Sequence, residues 1–533
     1  MKTYPSIFND VLGPVMRGPS SSHCAAALRI GRICRDLMNS QITSVIVTFD
    51  PDGSLATTHK SQGSDMGLFS GLLGWEADDD RLPDYMQAIA DAAVDIRFQI
   101  ETTGINHPNT YKLSLFNDTE MRELTAISTG GGMIEVLEID GAPVSMCGDY
   151  FETLIYTSDP EKVAALVQAL LDFDKLDIHR GRSTFISIKA QSFPTQAVLE
   201  ELASLDEVLF IRQIATVLPI MSRRNLEVPF ITCEAMLAYN SGRGLALWEL
   251  GLAYESARGN ISGEEALRRM THIVRIMQAS VDQGLKGTQY EDRILGSQST
   301  NFQQKMEQRQ LIQGDVLNRI ILFVSAIMEV KSSMGVIVAA PTAGSCGALP
   351  GAVLGAAAAM NLPEAVVVKA MLTAGVIGIF ISDRATFAAE VGGCQAECGS
   401  GAGMAAAALV SMAGGSLEQS LAAASLALQN SLGMICDPIA NRVEAPCLGR
   451  NIMAASNALS CANMALADYD HLIPLDEVIE TMDKVGKSIS NELRCTALGG
   501  LSITKTSKAI EERLNAGTGQ ESLDQTRFRF KIC

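Results

Sequence analysis

Apolar positions along the first 150 residues switch between two periods. In "SSSHCAAALRIGRICRDLM", Ala26, Ile30, Ile33 and Leu37 recur at helical spacing behind a run of serines. That spacing predicts a helix, and serine side chains can cap its start. "ITSVIVTFD" is β-branched and predicts a strand ending in the turn "DPDG". "AAVDIRFQIE" and "YKLSLFN" predict two strands joined as a hairpin, with "INHPNT" in the loop. "AISTGGGMIEVLEIDGAPV" predicts a further hairpin. The stretch 1–150 therefore reads as an α+β domain.

Residues 151–222 repeat a shorter rhythm. "ETLIYTS", "RSTFISIKA" and "VLFIRQIATVLP" have strand patterns, while "PEKVAALVQALLDF" and "PTQAVLEELASL" have helical ones. This order resembles the ferredoxin-like βαββαβ pattern with one strand unseen. After about residue 225 the texture is helical, with Ala-rich runs and Gly-rich breaks. "ISGEEALRRMTHIVRIM" begins with a serine and an acidic first turn, which marks a helix start. No alternating strand is apparent beyond this point. Residues 223–515 are expected to form an all-α domain, and 516–533 an extended polar tail. The expected fold class is multidomain, in that order.

Composition narrows the function. The chain has 533 residues, room for about three domains of roughly 150 residues. Apolar residues are 47% and charged residues 19%, enough for a large core and against disorder. The formal net charge is −18 and there is no basic stripe, which excludes a nucleic-acid partner. The start, "MKTYPSIFNDVLGPVMRG", lacks an apolar signal core, so the expected location is cytoplasmic. Two apolar stretches, 335–360 and 366–383, are interrupted by prolines, glycines or Lys369. A spanning helix needs about 20 predominantly apolar residues, so these are expected to be buried helices rather than membrane spans.

Twelve cysteines without a signal peptide are not expected to form structural disulfides. Most should be small buried hydrophobes. Cys394 in "EVGGCQAECGSGAG", Cys436 in "ICDPIANR" and Cys447 in "EAPCLGRN" differ, because glycine and proline place them at helix ends or in loops. Their spacing fits neither a zinc knuckle nor a ferredoxin run. Cys398, four residues after Cys394, is a rival ligand, and spacing alone leaves the choice open. Three thiolates without a fourth suit an iron–sulfur cluster with one open iron, which is a Lewis acid. Of the six histidines, His23 follows Ser20, Ser21 and Ser22 at a helix start. These serines and the first backbone N–H groups can hold a carboxylate. His107 lies in the "NHPN" loop; the other histidines have no distinguishing context.

The motifs "GPSSSHCAAALRIGR", "GSLATTHKSQGSD", "INHPNT", "STGGGMIEV", "APTAGSCGALPGAV", "GGCQAECGSGAGMAAAALV", "CDPIANRVEAPCLGRN" and "LRCTALGGLS" occur in this order. Together they resemble the iron–sulfur-dependent L-serine dehydratases, with a β-type part preceding an α-type part in one chain. The resemblance implies a [4Fe–4S] cluster on Cys394, Cys436 and Cys447, with His23 and His107 at the site. It implies an ACT-type middle unit. It also places Cys533 where some members carry a C-terminal cysteine that acts as a fourth ligand. Cys24, Gln62, Asn441 and Arg442 depart from the family pattern, where threonine, histidine and small or apolar residues are usual.

The expected reaction is elimination of water from L-serine, giving pyruvate and ammonia, with His23 as first choice of base and His107 as second. Ser20, Ser21, Ser22, Thr342 and Ser345 are expected to hold the substrate carboxylate. The departures point to an alternative substrate, such as L-threonine or L-cysteine. The expected partners are this small amino acid and a second copy of the chain in a dimer. A redox- or ligand-sensing protein without turnover is the competing class.

Overall fold

The computed structural model describes residues 4–290 and 293–517 of the chain. The first described residues pack into the helical part. Ser6 caps the turn Ile7–Val11, its Oγ accepting from Phe8 N and Asn9 N. Ser6 Oγ and Ile7 N donate to the buried Glu255 carboxylate at 2.5 and 2.8 Å. Ile7 and Val11 then lie against Gly375 and Gly378 of the helix Glu364–Arg384. Strand β1 (Val15–Met16) leads into the serine turn and the helix Ala26–Leu37.

The helix Ala26–Leu37 packs against Ser64–Leu72 with the backbones in contact. A Cβ on Gly67 would lie 1.9 Å from Cys24 O, and one on Gly71 would lie 2.1 Å from Leu28 O. Only glycine permits this approach. Beneath the two helices lies a sheet of β2 (Ser44–Phe49), β3 (Asp95–Ile100), β4 (Thr110–Phe116), β5 (Met121–Gly130), β6 (Met133–Ile139) and β7 (Ala142–Met146), in the order β3-β2-β4-β5-β6-β7. The hairpin expected between β3 and β4 is not formed. Instead β2 lies between them, parallel to β3 and antiparallel to β4. The reason is burial: Val45, Val47 and Phe49 of β2 are fully buried, whereas β3 is largely exposed beyond Ile96 and takes the edge.

The middle unit contains β8 (Phe151–Thr157), helix Pro160–Leu170, β9 (Lys175–Arg180), β10 (Thr184–Ala190), helix Gln196–Ala203 and β11 (Val208–Ile214). Its antiparallel order β11-β8-β10-β9 is the ferredoxin-like arrangement. The strand unseen in the sequence is β9. It is a short edge strand with only two apolar residues, Leu176 and Ile178, between Lys175, Asp177 and His179, too few to stand out as a strand signal.

Among the described residues the remainder is helical, with one exception to the expected absence of strands. Ile337–Val338 forms β12, which pairs antiparallel with β1 and ties the N-terminal segment to the helical part. Helix Glu364–Arg384 has the length and composition to cross a membrane, but 78% of its most apolar stretch is buried inside the protein. Helices Leu247–Gly259, Gly263–Leu285 and Ser400–Met412 pack around it. Nine of the thirteen residues of Ser400–Met412 are Ala, Gly or Met, small or flexible side chains that let helices close on it from several sides.

Gly67→Ala is expected to destabilise the N-terminal unit by about 1–3 kcal/mol, the usual cost of overpacking. Its urea midpoint should fall. Gly263→Ala, with nothing within 4 Å of the new methyl group, should leave the midpoint unchanged or raise it. Equal behaviour of the two variants would contradict the backbone contact.

Candidate active site

Three loops and two helix starts converge between the N-terminal unit and the helical part. Gly393, with φ +73, turns the chain so that Cys394 opens the helical turn Gln395–Gly399. Cys447 opens the helix Cys447–Leu466. Cys436 lies in extended chain, its N–H donating to Leu493 O at 2.8 Å while its carbonyl accepts from Cys495 N at 2.9 Å. Ala440 and Asn441, both at positive φ, reverse the chain between Cys436 and Cys447.

The thiols form a buried group. Cys394 Sγ, Cys436 Sγ and a Glu397 carboxylate oxygen lie within 4.8 Å of one another. Contacts from the Cys398 and Cys436 thiols pull Cys394 well below the usual thiol range, with further help from Arg450. Arg450 Nη1 donates to Cys394 Sγ at 3.5 Å and also pairs with Asp437. Burial pushes the Cys447 thiol up. Cys398, the rival in the sequence, adjoins Cys394 on the side of Asn451, whose Nδ2 lies 3.6 Å from its sulfur.

The serine turn is tied by Ser22 to Glu390, four residues before Cys394. His23 is fully buried. Its tautomer follows from its partners. Thr58 Oγ1 donates to Ser54 O at 2.7 Å, so at 2.7 Å from His23 Nε2 it accepts the ring proton. Ser22 Oγ donates to Glu390 Oε1 at 2.6 Å, which leaves Ser20 Oγ, at 3.0 Å, to donate to Nδ1. The ring lone pair is therefore at Nδ1, 3.6 Å from Glu390 Oε1. Burial lowers the ring's pKa to about 4 despite the Glu390 charge, so His23 is neutral at pH 7.

Ser21 Oγ accepts from Ala343 N at 3.1 Å and so ties the serine turn to the "PTAGS" loop. In that loop Thr342 Oγ1 donates to Glu397 at 2.7 Å, and Ser345 N donates to Thr342 Oγ1 at 3.2 Å. Burial, reinforced by Cys394 and Glu390, holds the Glu397 carboxyl well above the usual carboxylate range. His107 is half-buried, within electrostatic reach of Glu390, and burial lowers its pKa. The structure thus gathers Ser20, Ser21, Ser22, His23, Thr342, Ser345, Cys394, Cys436 and Cys447, with His107 at the margin. Cys533 lies outside the described residues.

Sequence reasoning missed Glu390, Glu397 and Cys495. The two acids had a signal: they are the only charged residues between Arg384 and Glu418. Charge inside an apolar, Gly-rich run needs a reason. Cys495 lies in the "LRCTALGGLS" motif, and its contact with Cys436 comes from chain pairing that the sequence does not reveal. Gln62, noted as a departure, donates to Asn441 Oδ1 at 3.3 Å and to Cys495 Sγ at 3.7 Å.

Comparison with known proteins places this geometry. The family described as "Serine dehydratase alpha chain" matches residues 242–502. The "Probable L-serine dehydratase, alpha chain" of Bacillus subtilis is 35% identical over 288 residues, 54% of this chain and 96% of that relative. The chain belongs to the L-serine dehydratase family. The "L-serine dehydratase, alpha chain" of Peptoniphilus asaccharolyticus is 39% identical over 280 residues, 52% of this chain and 96% of its own length. The "Probable L-serine dehydratase, beta chain" of Bacillus subtilis is 34% identical over 220 residues, 40% of this chain and 99% of its own. A single chain here matches both family subunits and has the length of their fusion.

The depressed His23 value makes stability depend on pH. The unfolded chain binds more protons than the folded one between about 4 and 6.5. The contribution is complete above the unfolded value and is lost as pH falls toward 4, at most about 3 kcal/mol. The thermal midpoint should therefore fall more steeply across this window in the wild type than in His23→Gln. Parallel curves would remove His23 as the cause.

Proposed function

We propose that this protein eliminates water from L-serine to give pyruvate and ammonia, with a [4Fe–4S] cluster held by Cys394, Cys436 and Cys447. The observation that carries the reading is the buried pair of thiols Cys394 and Cys436, with Cys447 within electrostatic reach of Cys394, joined through Glu390 to the serine–histidine turn, in a chain similar to proteins named L-serine dehydratase. The donor set fits such a cluster: buried sulfurs at loop and helix-start positions, with an Arg450 N–H directed at one of them. When bound, the cluster supplies a Lewis acid for the β-hydroxyl. Cys533 is the candidate for a fourth thiol.

The remaining chemistry belongs to side chains. The serine turn, with the first N–H groups of its helical stretch, and the loop bearing Thr342 and Ser345 frame the substrate carboxylate. His23 takes the α-proton at Nδ1, where the Glu390 charge at 3.6 Å stabilises the imidazolium. His107 moves the proton at the margin of the site. Burial of the turn excludes water until the product, aminoacrylate, leaves and hydrolyses to pyruvate and ammonia. The ferredoxin-like middle unit is ACT-type in this reading, and the enzyme is a cytoplasmic homodimer.

A second substrate reading has its own observation. Two of the departures from the family pattern, Gln62 and Asn441, are hydrogen-bonded to one another, Gln62 also reaches Cys495 Sγ, and Asn441 Nδ2 donates to Thr57 O at 2.9 Å. Paired departures beside a thiol of the site favour L-threonine or L-cysteine as the alternative to serine.

Anaerobically purified enzyme should contain iron and sulfide and release ammonia from L-serine with higher kcat/KM than from L-threonine or L-cysteine. His23→Gln should lower kcat by about 10²–10⁴-fold at unchanged iron content. Cys436→Ser should lose both iron and activity. Full activity in iron-free enzyme, or in Cys436→Ser, would sink the cluster reading, and a better amino acid in the panel would displace serine.

A further inference from the structure

The site holds two carboxylates and a carboxamide that the reaction scheme leaves without a substrate role. Glu390 is 6% exposed. One of its oxygens accepts from Ser22, and the nearest ionisable partner, His23, is held neutral. Glu397, also buried, accepts from Thr342. Among the described residues neither acid has a lysine or arginine within ion-pair distance. Lys331, the base that Glu397 feels electrostatically, is fully buried and donates to Val443 O. A buried carboxylate is costly unless a cation meets it.

A second observation comes from another part of the chain. Asn109 is fully buried, and neither the nitrogen nor the oxygen of its carboxamide has a partner. Such groups are rare in folded proteins and call for a ligand. Asn109 lies on the His23 side of the site: the carbonyl of its neighbour Pro108 accepts from Ser54 N at 2.8 Å, Ser54 O accepts from Thr58 Oγ1, the partner of His23 Nε2, and the Asn109 N–H donates to His107 Nδ1 at 3.2 Å. Both His107 and Tyr111 feel the Glu390 charge. Meanwhile three of the hydroxyls in the turn and loop that frame the substrate carboxylate already have partners, so the frame acts through its backbone N–H groups and lacks a dedicated side-chain donor. Ser20 serves His23, Ser22 serves Glu390 and Thr342 serves Glu397.

We propose that Glu390 and Asn109 read the two charges of an α-amino acid: the Glu390 carboxylate takes the ammonium group, and the Asn109 amide N–H takes the carboxylate. This deepens the serine-dehydrating reading and rests on it. An ammonium group on Glu390 also brings the Cα–H, one bond away, to the side of His23 Nδ1. Selection for an amino acid over a hydroxy acid then comes from a buried charge that only the amine can satisfy. A site whose buried groups are left unpaired by the wrong ligand discriminates more strongly than one that merely fits its shape.

The test is calorimetric binding to reconstituted enzyme of three ligands: L-serine, L-glycerate, which lacks the amine, and L-serinamide, which lacks the carboxylate. Wild type should bind serine at least 100-fold more tightly than glycerate. Glu390→Gln should weaken serine and serinamide at least tenfold and leave glycerate unchanged or tighter. Glu390→Asp, which keeps the charge, should retain the preference for serine over glycerate. Asn109→Asp should weaken serine and glycerate at least tenfold and spare serinamide. Equal losses for all three ligands in either variant would mark a merely structural role and overturn the assignment. So would a wild type that binds glycerate as tightly as serine, a result that needs no variant. Ammonia release measured in parallel separates the two readings. Turnover of serine without this crossover overturns the charge assignment alone. Preference for another amino acid overturns serine, and the same comparison is then made with that amino acid and its deaminated analogue. Absence of binding by any amino acid overturns both.

Discussion

The hydrogen bond from Ser22 Oγ to Glu390, 2.6 Å long and spanning 368 residues of sequence, is the contact on which the site depends. It occupies the serine hydroxyl, which leaves the His23 lone pair to Ser20 and fixes the histidine tautomer. It holds a carboxylate beside that lone pair. It also joins the N-terminal unit to the helix start that carries Cys394. Ala343 N to Ser21 Oγ closes the same seam from the "PTAGS" side. All of these groups are buried, so each exerts its charge or hydrogen bond in a medium far less screening than water.

Much of this architecture was legible before any coordinates, because periodicity is local. The helix behind the serines, the Ala-rich helical part and the βαββαβ rhythm all follow from spacing. What failed was non-local or edge-dependent. The strand β9 escapes because it is short and carries only two apolar residues, Leu176 and Ile178, and the β3–β4 hairpin fails because β2, earlier in the chain, has the more apolar face and claims the position between them. At the site, glycines and prolines marked the cysteines in loops, but nothing local marked Cys495. Its place beside Cys436 comes from a short parallel bridge between Cys436 and Arg494. Glu390 and Glu397 stand out as lone charges in an apolar run, but acidic residues on helices are usually solvated, so the run alone assigns them no role.

Fusion of two family subunits bears on the energetics of the seam. Where relatives are named as separate alpha and beta chains, the contact between Ser22 and Glu390 would have to be made between molecules, and association would cost translational and rotational freedom. In one chain the same contact is intramolecular, at an effective concentration set by the connection. That connection is short of slack. The N-terminal segment is anchored on Glu255, β1 is paired with β12, and Asn9 exchanges hydrogen bonds with Ile220 at the exit of the middle unit. Three anchors around the seam let a small number of polar contacts define it. The acids and thiols inside can therefore be arranged for chemistry, because the anchors rather than the site hold the two parts together.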